Sequence, residues 1–239
     1  MNREPILITG VARRVGLHLA QTFLERGQAV IGTYRTERPA LEQLEKAGAE
    51  LYPCDFYEEK QVAALVQTVT GSHSRLRAVI HNASDWMPEG SGMPAADVIR
   101  RMMQVHVHAP YLLNMALAPL LQASSGPHAD IIHVGDYVST RGSKKHIAYA
   151  ASKAAQDNLT LSFSASLAPR VKVNSIAPAL VIFNDEDDEA YREKARRKSL
   201  MEREAGLEEF QHTVDYLLES VYVTGRILHM DGGRHLRVA

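Results

Sequence analysis

The 239 residues are enough for one large domain, and 45% hydrophobic with 23% charged side chains is a globular rather than a disordered balance. A formal net charge of −1 gives no reason to expect a nucleic acid or a membrane surface as partner. The single cysteine, Cys54, excludes an internal disulfide, and no apolar run reaches spanning length, so the chain is expected to be soluble and cytoplasmic.

Strand-like and helix-like segments alternate along the chain. Ile6-Leu7-Ile8 is a short apolar run ending at Gly10, and Val15 to Glu25 carries apolar residues at helical spacing. A strand follows over Gln28 to Tyr34, then a Leu- and Glu-rich helix from Pro39 to Ala47. AELYP reads as a third strand and YEEKQVAALVQTV as a helix. LRAVIHNAS reads as a strand that runs out into small polar residues. A long helical region is predicted from about Ala95 to Leu121, then the strand HADIIHVG and a helix over Ala148 to Leu167. VKVNSIAP and GRILHMDGG supply the last strands. Continuous apolar strands between helices predict an α/β fold: one doubly wound parallel sheet with helices on both faces, over residues 1–239 as a single domain. Ligands of such sheets bind at the carboxyl ends of the strands. Residues 184–198, NDEDDEAYREKARRK, put acids before bases, which complements a helix macrodipole. This segment is either a solvated helix or part of a substrate lid spanning 181–206.

Chemistry concentrates at those strand ends. TGVARRVG, Thr9 to Gly16, follows the first strand and opens the first helix, where backbone N–H groups can receive a phosphate. Gly10 permits a tight turn and Gly16 a close helix–strand contact. Arg14 stands where such loops usually place their middle glycine, and Arg13 beside it adds charge. The second strand ends in Thr33-Tyr34-Arg35-Thr36, with no carboxylate to hold a ribose 2′-hydroxyl. Arg35 can fork onto a 2′-phosphate and Thr36 can add a hydroxyl, which predicts NADPH rather than NADH as cofactor. Asp55, after the third strand, is placed to meet the adenine. His81-Asn82-Ala83-Ser84 ends the fourth strand with side chains small enough for close approach by the cofactor.

Tyr149 and Lys153, four apart on one helix, share a face. An ammonium near a phenol is expected to lower its pKa toward the working range, and the pair can deliver a proton while the cofactor delivers a hydride. TGVARRVG, HNAS, YAASK, VNSIAP and DGGRHL together resemble the short-chain dehydrogenase/reductase family over essentially the full length. That resemblance implies a Rossmann-type domain of about seven strands, often assembled as a homotetramer, with Tyr149 and Lys153 as the catalytic pair. It assigns Gly10, Arg13, Arg14, Val15, Gly16, Arg35, Thr36, Asp55, Asn82, Ala83, Ser84, Tyr149, Lys153 and Pro178 to the cofactor.

Two departures stand out. Asp136, thirteen before the tyrosine, occupies the family's serine position, and His106 the position of its helix asparagine. The aspartate, with Arg14 and with Trp86 shortly after the Asn-Ala-Ser turn, resembles the family's pteridine reductase branch. A pterin is flat and carries N–H donors on its rim. The resemblance therefore implies that Trp86 stacks on it, Arg14 bridges it to the cofactor phosphate, Asp136 accepts from a ring N–H, and Tyr149 and Leu180 complete the pocket. A generic carbonyl reductase and a non-catalytic NADPH sensor stay open as other readings. His106 and His108 diverge on a helix and lack acidic or cysteine partners at ligand spacing, so no metal site is expected. His106 reads either as an active-site residue or as a satisfied core histidine. The C-terminal Arg234 to Ala239 is a candidate contact with a neighbouring subunit.

Overall fold

The computed structural model describes residues 4–237; Val238 and Ala239, the end of the predicted subunit contact, lie outside the described residues. Seven parallel strands form one sheet in the order β3-β2-β1-β4-β5-β6-β7. They are β1 (Ile6–Ile8), β2 (Val30–Tyr34), β3 (Glu50–Pro53), β4 (Ala78–His81), β5 (Ala129–Val134), β6 (Val171–Pro178) and β7 (Ile227–Met230). The strand order reverses between β1 and β4, which opens a crevice above their carboxyl ends.

Two apolar layers sandwich the sheet. Leu7, Ile31, Val79, Ile131 and Val173 are direct partners across five strands and form one buried row. Over it pack α3 (Glu59–Ser72), α5 (Ala109–Gln122) and α6 (Ile147–Leu167), through Leu65, Leu113 and Phe163 among others. Ile6, Ile8, Ile80 and Ile132 point to the other face, under α1 (Arg14–Glu25), α2 (Pro39–Lys46) and α8 (Leu207–Glu219). Each fully buried aliphatic side chain contributes roughly 1.5–3 kcal/mol relative to exposure, so this alternation fixes the register of the sheet. Among the described residues no helix is long and apolar enough to cross a membrane.

The long helical region departs from a plain helix. It consists of α4 (Ala95–Met103), a π-helical turn over Gln104–His108, and α5. Pro110 explains the break: it has no N–H to give the His106 carbonyl, and its ring crowds that group, so the helix widens one turn earlier. The acidic-then-basic segment contains α7 (Glu189–Arg196), which buries none of its residues. Asp188 caps it by accepting from Tyr191 N at 2.7 Å. The excursion is pinned at its base, where Ala205 N donates to Leu180 O at 3.1 Å and Gly206 N to Val181 O at 2.9 Å.

Candidate active site

The loop after β1 and the turn after β4 are clipped together. Asn82 Nδ2 donates to Thr9 O at 2.9 Å and Gly10 O at 3.0 Å, and Ala83 N donates to Thr9 Oγ1 at 2.9 Å. No side chain fits at Gly16, where a Cβ would sit 2.1 Å from Gly10 O. Gly10 has φ +77° and Arg14 φ +53°, so an arginine occupies the left-handed region a glycine would take without cost. The Arg14 guanidinium leaves this loop to reach the excursion after β6, donating to Ile182 O at 2.9 Å and to Asn184 Oδ1. Burial and the neighbouring Arg13 lower its pKa, against the pull of Asp185, Glu186 and Asp187.

A cleft of about 330 Å³ opens above this junction. Gly10, Arg13, Arg14, Val15, Arg35, Thr36, Asp55, Asn82, Ala83, Ser84, Asp136, Tyr149, Lys153 and Pro178 all line it. Gly16 is not among the residues lining the cleft. Arg38, Phe56, Tyr57, Asp85 and Gly135 also line it, and sequence reasoning missed them. Gly135 carried a usable signal, because a glycine closing a buried strand marks a close approach; a Cβ there would lie 2.7 Å from Ser175 Oγ. Arg35 is not a free fork. Its Nη1 is held by Asp85 Oδ2 at 3.0 Å, the same oxygen that accepts from Tyr57 OH at 3.1 Å. Asp55 has one carboxylate oxygen occupied by Tyr57 N at 3.0 Å.

The catalytic candidates meet on the cleft floor. Asp136 stands two residues past β5, accepts from Val138 N at 2.7 Å through Oδ1, and accepts the Tyr149 hydroxyl at 2.8 Å through Oδ2. Lys153 is fully buried and donates to Val134 O at 2.7 Å and Gln156 Oε1 at 3.2 Å. The lowering of the Tyr149 pKa expected from Lys153 is outweighed. Burial, the Asp136 charge and the hydrogen bond to Asp136 hold the phenol well above its usual range, with only Ser84 pulling the other way. Burial draws Lys153 down to about 8, opposed by Asp136 and Asp157.

His106 sits in the π turn, fully buried beside the site and edge-on to Tyr149 at 5.3 Å between ring centroids. Its Nε2 is 2.8 Å from Ser84 Oγ and its Nδ1 is 2.8 Å from Ser152 Oγ. Ser152 donates its proton to Tyr149 O at 2.7 Å, so it accepts from His106 Nδ1–H and leaves Nε2 to accept from Ser84. Burial and Lys153 keep this imidazole neutral, well below its usual pKa. Two residues expected to contact the pterin are not among the lining of the main cleft. Trp86 is 61% exposed, outside the cleft lining and edge-on to His146. Leu180 lines a separate cavity.

Comparison with known proteins agrees with this geometry. A family model described as enoyl-(acyl carrier protein) reductase matches residues 10–235. The dihydromonapterin reductase of Klebsiella pneumoniae is 55% identical over 98% of both chains, and that of Escherichia coli 55% identical over 98% of this chain and 97% of its own. Among solved structures, FolM alternative dihydrofolate reductase 1 of Brucella canis, complexed with NADP, superposes with a TM-score of 0.87 at 25% identity, covering 100% of this chain and 96% of that one. The RhlG/NADP complex of Pseudomonas aeruginosa gives 0.87 and 25%, covering 97% and 96%. With its sheet order, its glycine loop clipped to the Asn-Ala-Ser turn and its Tyr149–Lys153 pair, the chain belongs to the short-chain dehydrogenase/reductase family.

Proposed function

We propose that this chain is an NADPH-dependent reductase of dihydropterins, which converts dihydromonapterin to tetrahydromonapterin and turns over dihydrofolate more slowly. One observation carries the reading: a tyrosine held protonated donates to a carboxylate, Asp136, on the floor of a cleft shaped for a dinucleotide. The 55% identity to dihydromonapterin reductases supports the substrate class, and the NADP complexes among similar folds support the cofactor.

The residues fit that cofactor. The loop has room for backbone only at Gly16, and Arg13, Arg14, Arg35 and Arg38 give the cleft wall a positive field. Gly10, Arg13, Arg14, Val15 and Gly16 would hold the pyrophosphate, and Arg35 and Thr36 the 2′-phosphate, with Asp85 keeping Arg35 in place. Asp55 would meet the adenine. Asn82, Ala83, Ser84, Tyr149, Lys153 and Pro178 would frame the nicotinamide and its ribose. When bound, NADPH supplies the hydride. The chain supplies the rest. Asp136 accepts from a pterin ring N–H, and Tyr149 delivers the proton from its hydroxyl. A ketone oxygen needs only a hydroxyl at the Asp136 position, whereas a ring with N–H donors can use the carboxylate. The Lys153 ammonium stabilises negative charge on Tyr149 as the proton leaves. Neutral His106 orients Ser84 beside the phenol. The 181–206 excursion acts as the lid, tethered at its base and latched to the cofactor loop through Arg14.

Assembly is part of the proposal. Tyr111, Met115 and Leu161 expose apolar surface on α5 and α6, as do Tyr216 in α8 and Val221 and Tyr222 just beyond it, which supports self-association, here read as a homotetramer. The test follows NADPH consumption with dihydromonapterin, dihydrobiopterin, dihydrofolate and a non-pterin ketone, repeated with NADH. Turnover of the dihydropterins with NADPH is expected, dihydromonapterin fastest. Turnover of the ketone alone would return the protein to the generic carbonyl reductases. Tight NADPH binding without turnover would make it a sensor.

A further inference from the structure

A second cavity, about 190 Å³, lies beside the main cleft. The two are adjacent along the end of β6: Pro178 lines the first, Ala179 and Leu180 the second. The second also carries Lys198, Arg203 and Arg234. The Arg234 guanidinium lies over the Tyr137 ring, 4.8 Å from its centroid, and that of Arg141 is 5.8 Å from the same ring. Tyr137 directly follows Asp136, so this cationic wall begins one residue from the proposed substrate carboxylate.

Glu204, Glu209 and Asp231 line the same cavity, but among the described residues none of them forms an ion pair with its cations. Lys145, Lys194, Lys198 and Arg234 form no ion pair among the described residues, whereas Arg196 and Arg197 on the same lid do. Lys198 and Arg234 line the one cavity, and burial, then Arg234, Lys194 and Lys145, draw the Lys198 ammonium below its usual range. The nearby acids are committed. Asp231 accepts from His235 Nδ1 at 2.7 Å and from Gly233 N and His235 N at 3.0 Å each. Glu204 accepts from Phe183 N at 3.3 Å, and Glu209 sits in the first turn of α8, where the helix dipole favours it.

Resting on the dihydropterin reading above, we propose that this cavity receives an anionic substituent on the pterin side chain, a carboxylate or a phosphate, contacted by Lys198 and Arg234. A bound anion would relieve the repulsion the cluster holds when empty. The side chain of dihydromonapterin is an uncharged polyol and gains nothing from the cluster. Dihydrofolate ends in a glutamate with two carboxylates and does gain. The subsite therefore governs which pterins are accepted, separately from the chemistry at Asp136 and Tyr149.

Steady-state kinetics of the full chain with NADPH test this, using dihydromonapterin, dihydrofolate and a dihydropterin bearing a side-chain phosphate. The variants are Lys198→Ala, Arg234→Ala and Lys198→Arg. Each alanine variant is expected to raise KM for an anionic substrate roughly two- to fivefold, the scale of one partly exposed charge pair, with kcat held. Dihydromonapterin kinetics stay unchanged in Arg234→Ala, which lies outside the 181–206 excursion, added salt reproduces the effect in the wild type, and Lys198→Arg retains the wild-type KM. A rise confined to dihydrofolate identifies the carboxylate tail as the occupant, and one confined to the phosphate ester identifies phosphate. Unchanged KM values for both anionic substrates, or an equal rise for dihydromonapterin, would overturn the subsite while leaving the reductase reading intact. Absence of any dihydropterin turnover by the wild type would overturn the reductase reading, and the subsite with it.

Discussion

Strand β5 has an aspartate at each end, and the two do opposite work. Asp130, at its start, is buried between Arg77 at 2.5 Å and Lys172 at 2.8 Å. Those cations also close on the end of α8, donating to Leu218 O and Leu217 O at 2.6 Å each. Every charge there is answered from within the protein. Asp136, just past the other end, faces an open cleft, and its side-chain partner is a proton donor, the Tyr149 hydroxyl, rather than a cation. The lysines differ in the same way: Lys172 is paired with Asp130, whereas Lys153 is held by a carbonyl and an amide and keeps its charge for the site. A carboxylate closed off by cations holds a fold together. A carboxylate that shares a proton at a cleft is placed for chemistry.

Substitutions at the two ends should separate completely. Tyr149→Phe is expected to lower dihydropterin turnover roughly a hundred- to ten-thousandfold, the usual contribution of a positioned proton donor, with NADPH binding and thermal stability near wild type. Asp130→Asn should do the reverse. It leaves buried cations short of their partner and should cost about 3–5 kcal/mol of stability by denaturant titration, with KM values preserved below the transition. A large loss of turnover in folded Asp130→Asn would break the comparison.

Arg35→Ala should raise KM for NADPH roughly tenfold and leave NADH nearly unaffected, the value of one charged fork on a phosphate. The pH dependence should be smaller still. With Lys153 at about 8, turnover should fall as pH rises through that value and the ammonium is lost. On stability, Lys153 works with the opposite sign: between about 8 and its unfolded pKa the unfolded chain holds a proton the native one lacks, so its contribution to stability rises with pH. His81, drawn down to about 4 by burial against a bond to Asn114, is neutral in the native state. The unfolded chain takes up that proton first, so stability should be lost as pH falls from about 6.5 toward 4. Flat stability across that acid window would contradict the buried neutral imidazole.

Much of this was legible in the sequence because it is local. Apolar runs between helical patterns announced the parallel sheet, Tyr149, Lys153 and the Gly10–Gly16 loop showed by spacing, and Asp136 through the family resemblance. What escaped depends on groups far apart in the chain. Asp85 meets Arg35 across fifty residues, and Arg14 meets the excursion after β6 across about 170. His81, Asn114, His133 and Thr160 form a buried hydrogen-bonded ladder from four elements, which no short window displays. The π turn at His106 was foreshadowed by Pro110 but needed the backbone to be seen. The sign of the Tyr149 shift depended on distances: Lys153 bonds Val134 and Gln156, while Asp136 bonds the phenol.

The central claim is that Asp136 makes this site a dihydropterin site, and Asp136→Ser tests it most directly. NADPH oxidation by the variant should be measured with dihydromonapterin and with a non-pterin ketone in parallel. Loss of dihydromonapterin turnover with ketone reduction retained or gained is the predicted result. Dihydromonapterin turnover at the wild-type rate would show that the carboxylate is not what recognises the pterin, and would contradict the account.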